Sequence, residues 1–411
     1  MKILLVHVFF TSKYANGANA IVYSMYRNFN SENEKMYIFA TDEQPFLDEN
    51  YPYLKYFPKS NRCDKNTLSG YLKYRLRTIY NPEAQKKMSL LLDEIKPDIV
   101  HIHSMWELSS SIIKPIKDRK IPIVYTSHDI SRWCPALFFA GINYCNECTG
   151  LNLFPCILKN CANNWLYSIY FAVSKFVENI LLKDKDISVY TVPTQTVKDY
   201  MIKSGVPENK IEVVSNFVSA ELFKTEPDYS NKGYFLFAGG ENEQKGLKTL
   251  LKAMKLLPRE IALHIAGSGK YDESRQFIED NSLSNIKILG QISKDELKDE
   301  YKNCISVIMP SECFESFGMV NIEAAAYGKP SIVSDAGGLK DVADNNLTGL
   351  VFKATDEVQL GKCILKYWED NNLSVLHGKN ARKKSIRDYS QNLYRQKIND
   401  IYAKLTDKNK C

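Results

Sequence analysis

At 411 residues the chain exceeds what one hydrophobic core ordinarily organises, so two domains are expected. Apolar residues at 44% and charged residues at 25% are the proportions of a globular chain, which excludes a disordered, collagen-like or coiled-coil protein. The formal charge of +6 is unevenly spread: residues 52–88 hold nine basic side chains against Asp64 and Glu83, a local +7 that leaves −1 for the rest. Such a concentration points to one anionic partner.

In chain order, the apolar run at 3–9 reads as a buried first strand. Ala18, Asn19 and Ala20 imitate a signal-peptidase site, but His7 interrupts the run and a glycine-containing loop follows it. No stretch reaches the roughly 20 apolar residues that span a bilayer. A cytoplasmic protein, peripheral at most on the inner face of the membrane, is expected. Further strands are read at 36–40, 98–103, 122–127 and 187–192, alternating with helices at 18–29, 83–95, 108–117 and 196–204. Asn216, Phe217 and Val218 are read as the end of one more strand, and a polar stretch at 225–232 separates these elements from a second series. Its strands lie at 234–238, 263–266, 286–289, 305–309, 331–334 and 350–352, with helices at 246–256, 272–281, 294–303 and 319–327. After Gly361 the pattern is helical, and Leu393, Ile398, Ile401 and Leu405 form one apolar stripe.

Alternation of this kind predicts an α/β fold of two facing Rossmann-like domains, each a parallel sheet covered by helices. The expected division is 1–218, 219–385 and a terminal helix, 386–411, that packs back on the first domain. Chemistry is expected in the loops beyond the carboxyl ends of the strands, in the cleft between the domains.

Residues 310–330 are the most informative stretch. They follow a strand and open a helix near Phe317, with Glu315 before the helix and Glu323 in its second turn. The amides of Phe317, Gly318 and Met319 form a helix N-terminus that favours a phosphate. Two carboxylates beside a phosphate must bind neutral hydroxyls, and sugar hydroxyls donate well to carboxylates. No Asp-x-Asp pair stands on a strand-end loop to hold a metal, so no cofactor is expected to be required for catalysis.

With this stretch in place, the chain resembles the retaining glycosyltransferases of family four, which have the GT-B architecture. Residues 310–330 are similar to the family's Glu-x7-Glu element, and Lys245 with Gly246 to its phosphate-binding Lys-Gly. Residues 266–269 resemble its glycine-rich loop, and 334–338 and 348–350 fit its distal half. In the first half, 97–103, 125–129 and 215–217 match its usual punctuation. The resemblance implies a UDP- or GDP-sugar donor and retention of configuration. It also implies a glycan or lipid-linked saccharide acceptor, in polysaccharide or glycoconjugate synthesis. By the same resemblance Glu315 would hold the transferred sugar, Glu323 the ribose and Lys245 the diphosphate. Ser316, the amides of Phe317, Gly318, Met319 and Val320, and the loops at Gly17, Gly240 and Gly267 would complete the donor site. His128 would reach in from the first domain. Two departures stand out. Gly240 occupies the place of the family's usual arginine, and residues 16–19 read Asn-Gly-Ala-Asn where Gly-Gly-x-Glu is usual. A GT-B sugar-nucleotide epimerase and a non-catalytic GT-B partner subunit are the alternatives.

Two further features fall outside this pattern. Cys145 and Cys148 have zinc-knuckle spacing, and Cys156 and Cys161 would complete a tetrathiolate, with Cys134 as the alternative ligand. A structural zinc, buried reduced thiols and redox-sensitive cysteines all remain open for this insertion at 134–161. The basic segment 52–88 interleaves its cations with tyrosines. That composition suits an anionic membrane surface, single-stranded nucleic acid or a solvated helix face. The membrane is preferred, and no nucleic acid is expected. Residues 165–182, aromatic and apolar on most faces, are expected in the core, with lipid or acceptor contact second.

Overall fold

The computed structural model describes residues 1–10, 17–43, 51–60, 67–135, 137, 145–224 and 226–407. Asn16 and three charges of the basic segment, Arg62, Asp64 and Lys65, lie outside the described residues. Short apolar runs, buried on both faces, form six parallel strands in the first half. They are β1 (Lys2–Val6), β2 (Lys35–Phe39), β3 (Ile99–Ile102), β4 (Ile123–Thr126), β5 (Val189–Val192) and β6 (Ile211–Val213), in the order β2-β1-β3-β4-β5-β6. The helices are α1 (Gly17–Asn28), α2 (Leu68–Ile79), α3 (Pro82–Ile95), α4 (Ile113–Asp118), α5 (Phe154–Leu158), α6 (Trp165–Leu181) and α7 (Gln195–Lys203). Capping chemistry sets their starts. Asn81 accepts from Ala84 N at 3.1 Å with Pro82 in the first turn of α3, and Thr67 accepts from Gly70 N at 3.1 Å to open α2.

The second sheet repeats the plan with β7 (Tyr234–Ala238), β8 (Ala262–Ala266), β9 (Ile286–Gly290), β10 (Val307–Met309), β11 (Ser331–Ser334) and β12 (Gly349–Phe352). Its order is β12-β11-β10-β7-β8-β9. Around it lie α8 (Leu247–Lys255), α9 (Asp272–Asp280), α10 (Lys294–Asn303), α11 (Met319–Ala326), α12 (Leu339–Val342), α13 (Glu357–Glu369) and α14 (Asn371–Asp388). In each sheet the chain order reverses once, between β1 and β3 and between β7 and β10, and ligands bind at such reversals. The loops after β7 and β10 carry Lys245 and Glu315.

The last helix, α15 (Gln391–Asp407), returns to the first sheet as expected. Tyr394, Ile398, Ile401 and Tyr402 enter the cluster formed by Ile3, Leu5, Val22 and Met25, and the Tyr394 ring stands 4.6 Å from that of Phe217. The outgoing and returning chain meet where Val218 N donates to Tyr389 O at 3.0 Å.

Three expectations need correction. The helix expected at 108–117 starts late, because Ser109 (φ 55°) leads into a 3-10 turn before α4. The strand expected to end at Val218 is β6, a few residues earlier. The third concerns α6, whose buried residues are Ser168, Ala172 and Lys175 and not its large apolar side chains. Lys175 and Arg132 both bind the Glu178 carboxylate, at 2.6 and 2.8 Å, so the inward face of α6 is an ionic network. The apolar face is left outside. Among the described residues no helix is long and apolar enough to cross a membrane.

Candidate active site

Beyond β7 and β8 two loops lie in contact. Gly239 N donates to Ala266 O at 2.8 Å, Glu241 N donates to Ser268 O at 2.9 Å, and Gly267 rests against the Gly239 carbonyl. A Cβ at Gly240 would stand 2.9 Å from Ser268 O. An arginine there would force these loops apart, which accounts structurally for its absence. The chain then makes a 3-10 turn, Glu243–Lys245, capped by Asn242, and leaves through Gly246 at φ 71°. Gly246 lies so close to Pro310 that a Cβ would be 1.8 Å from its carbonyl oxygen. This contact brings Lys245 to the loop after β10, where its ammonium binds Glu315 Oε1. Ser311 Oγ donates to the same oxygen at 3.2 Å. Burial alone would lower the Lys245 pKa, but the Glu315 carboxylate outweighs it and holds the ammonium above its ordinary value.

Glu315 leads directly into α11, capped by Gly318 at φ 90°. Ser316 Oγ is buried with no hydrogen-bond partner among the described residues, and Phe317 is buried against Tyr389. Met319 and Val320, half-buried, begin the helix. Across the cleft, Gly17 opens α1, and a Cβ there would stand 2.9 Å from Met319 Cγ. Two helix N-termini therefore meet near the Lys245–Glu315 pair, and an anion between them would see both dipoles and an ammonium already paired with a carboxylate. Thr194 Oγ1 donates to Ser316 O at 2.9 Å, and Thr196 N donates to Asp341 Oδ2 at 2.7 Å. These bonds fix the first domain against the loop after β10 and against α12. Glu323 does not join Glu315. It accepts from Tyr301 Oη at 2.9 Å, and burial raises its pKa.

His128, half-buried, follows β4 and joins the buried His7, His101 and His103 in one group at the reversal of the first sheet. His103 Nδ1 lies 3.0 Å from His128 Nε2, and their rings stack at 5.2 Å. His101 Nδ1 meets Tyr402 Oη at 2.5 Å and its Nε2 meets Thr126 Oγ1 at 2.6 Å. His7 Nε2 binds Asn19 Oδ1, so the unusual Asn19 has a partner inside the first domain. His103 Nε2 has no hydrogen-bond partner among the described residues. An orphaned acceptor is commoner than an orphaned N–H, which favours His103 donating through Nδ1 and leaves His128 as a donor at its own Nδ1. Burial is the main cause that lowers the pKa of His7 to about 4 and those of His101 and His128 to about 3, and it takes His103 well below its ordinary value. The group is therefore neutral near pH 7. These folded values lie below the unfolded value of about 6.5, so the unfolded chain binds more protons as pH falls. The melting temperature should hold above about pH 6.5 and fall steadily towards pH 4. A flat profile across that window would refute the buried neutral cluster.

Two family models divide the chain. Glycosyltransferase Family 4 matches residues 15–222, and Glycosyl transferases group 1 matches residues 218–384. The chain belongs to glycosyltransferase family 4. It is thus a transferase with the GT-B fold. An uncharacterized glycosyltransferase of Methanocaldococcus jannaschii is 30% identical over 201 residues, 49% of this chain and 55% of the relative, so the match spans little more than half of that protein. Sucrose-phosphate synthase from Thermosynechococcus elongatus superposes with a TM-score of 0.73 at 18% identity, covering 98% of both chains. The Anabaena protein HepE, solved in complex with UDP and glucose, gives 0.68 at 18% identity over 98% of this chain and 100% of that one. At these identities the likeness is one of fold.

In this transferase the zinc expected at Cys145, Cys148, Cys156 and Cys161, with Cys134 in reserve, is not supported. Among the described residues no group of three or more His, Cys, Asp or Glu side chains is placed to hold a metal. Burial pushes the Cys148 thiol up to about 11 and that of Cys156 to about 12, and Cys156 Sγ donates to Ser168 O at 3.9 Å. Both thiols are therefore held protonated near pH 7, with Cys156 directed from α5 onto α6. Sequence reasoning also missed Tyr301, Thr194 and His103. Tyr301 is 22 residues from Glu323, and Thr194 is 122 from Ser316, so no local spacing signals either. His103 stood in a quoted motif but carried no role.

Proposed function

We propose that this transferase moves a hexose-type sugar from a UDP- or GDP-sugar, with retention, to a glycan or lipid-linked saccharide in polysaccharide or glycoconjugate synthesis. In this reading residues 1–218 take the acceptor, 219–385 the donor, and 386–411 tie the two together. The observation that carries it is the Lys245–Glu315 pair at the N-terminus of α11, faced by the N-terminus of α1. Charge develops on the diphosphate as the glycosidic bond breaks. With the donor seated, the Lys245 ammonium, the amides of Phe317 to Val320 and the Ser316 hydroxyl, unpartnered among the described residues, would stabilise that charge. Donor binding would take Lys245 from Glu315, freeing the carboxylate to accept from sugar hydroxyls. Glu323, raised in pKa, would meet the ribose, with Tyr301 holding its orientation. Neutral His128 would donate to the sugar or to the leaving phosphate. In a front-face reaction the acceptor oxygen bonds to the anomeric carbon as the diphosphate leaves, and the acceptor proton passes to that phosphate. A lipid-linked acceptor would bring an anionic membrane surface to the cationic segment 52–88.

HepE was solved with UDP and glucose, which favours a uridine donor. In thermal-shift measurements UDP-sugars should raise the melting temperature by several degrees at saturating concentration, and more than GDP-sugars do. Release of nucleoside diphosphate should depend on added acceptor. No shift with any nucleotide sugar would overturn the donor assignment.

A further inference from the structure

We propose that α2, α5 and α6 form one surface that seats the protein on an anionic lipid bilayer. The inference rests on the lipid-linked acceptor reading for its purpose only, because the surface is defined without reference to transfer. Its centre is α6, outside the basic segment. Leu166, Ile169, Val173, Phe176 and Ile180 recur at helical spacing along one side, and each is exposed, Leu166 by 79%. That side lies about 100° round the helix from the buried Ser168, Ala172 and Lys175. Leu68, Leu72 and Leu76 make the matching stripe on α2, exposed by 78%, 54% and 65%, away from buried Gly70, Tyr74 and Thr78.

The two helices are joined side by side. Tyr71 Oη lies 3.2 Å from Tyr167 Oη, Thr78 binds Tyr170, and the Arg75 guanidinium sits 4.5 Å from the Tyr170 ring centre. On the other flank Ala162 N, just beyond α5, donates to Ser168 Oγ at 3.1 Å, and α5 adds exposed Phe154 and Leu158. Trp165 stands at the head of the α6 stripe, 53% exposed. A monomer in water rarely leaves so many large apolar side chains together on its surface.

Charge decides the occupant. α2 contains no acid; Arg77 is paired with Glu83 at 3.2 Å, which leaves Lys73 and Arg75 as the cations of this face. The stripe of α6 carries no charge because Lys175 and Glu178 turn inward towards Arg132. A second copy of the same face would set cations against cations. An anionic bilayer satisfies both parts, with the leucines and aromatic rings among the acyl chains and the cations at the phosphates. A helix of 17 residues runs about 25 Å, enough to lie in the interface plane.

The test is flotation of the full chain on vesicles of phosphatidylcholine, with and without about one third phosphatidylglycerol, at low and high salt and without donor. Wild type should float with the anionic vesicles and less so in high salt. The double variant Leu166→Asp, Ile169→Asp should lose at least about tenfold in vesicle affinity, and Lys73→Glu should lose less. Both positions on α6 are exposed, so circular dichroism and release of nucleoside diphosphate to a water-soluble acceptor should be unchanged. Absence of wild-type flotation, or undiminished flotation of the double variant, would overturn the proposal. So would a wild-type dimer in sedimentation that the double variant abolishes, since a second copy would then cover the face. Vesicle binding in a protein that transfers no sugar would instead sink the transfer reading and leave this one standing.

Discussion

Replacing Lys245 by alanine should lower kcat/KM for sugar transfer by about 10²–10³-fold while moving the melting temperature little. The two effects separate because of where the side chain lies. Its ion pair with Glu315 is 41% exposed on the lysine side, and such pairs contribute roughly 0–1 kcal/mol to folding. In the reaction the same ammonium would face a diphosphate gaining charge, where a fixed cation counts for more. Glu315→Ala should fall in the same range, because the freed carboxylate is the proposed hydroxyl acceptor. The double variant should lose much less than the product of the two single losses, since the residues act as one unit. Lys245→Arg should recover only part of the activity, because a planar guanidinium does not replace a compact ammonium at this contact. Initial rates at saturating donor, with melting temperatures measured on the same preparations, check all four. Unchanged turnover in Lys245→Ala and Glu315→Ala would remove the site assignment.

What could be read in advance follows from the physics of each element. Strands buried on both faces in parallel sheets appear as unbroken apolar runs, which is why β1, β7 and β11 stand out. The stripe of α15 was also legible, although Tyr394 and Tyr402 do more of its burial than Leu393 and Leu405. α2 is not legible as a packed helix because its leucines face outward and its buried side is Gly70, Tyr74 and Thr78, with no apolar repeat. α6 was placed in the core because hydrophobicity along a helix does not say which side faces in. Buried Arg132, distant in sequence, decides that by claiming Glu178 and with it Lys175. In the site, Glu315 and Lys245 were named separately through the family resemblance, and only the fold shows that they touch across 70 residues. The cysteine spacing gave four candidate ligands, but coordination also needs converging orientations, which spacing does not encode.

Gly246→Ala should damage activity through geometry alone, with kcat/KM falling by about 10²-fold for a displacement of roughly an ångström. Gly246 combines a left-handed backbone, φ 71°, with a Cβ position only 1.8 Å from Pro310 O. The backbone penalty for a non-glycine residue there is about 1–2 kcal/mol, and the clash adds to it unless the loop retreats. Retreat carries Lys245 away from Glu315, since Lys245 and Gly246 are adjacent in the turn. A control separates strain from displacement. Gly205 also has positive φ, 96°, but nothing lies within 4 Å of its Cβ position. Gly205→Ala should therefore cost a comparable backbone penalty in melting temperature and leave kcat/KM within about twofold of wild type. If the two variants lost stability equally and neither lost activity, the Gly246–Pro310 contact would not be what holds Lys245 at the donor site. If only Gly246→Ala lost activity, and lost it in kcat more than in KM, the contact would be acting in the transition state, as a preorganised diphosphate clamp requires.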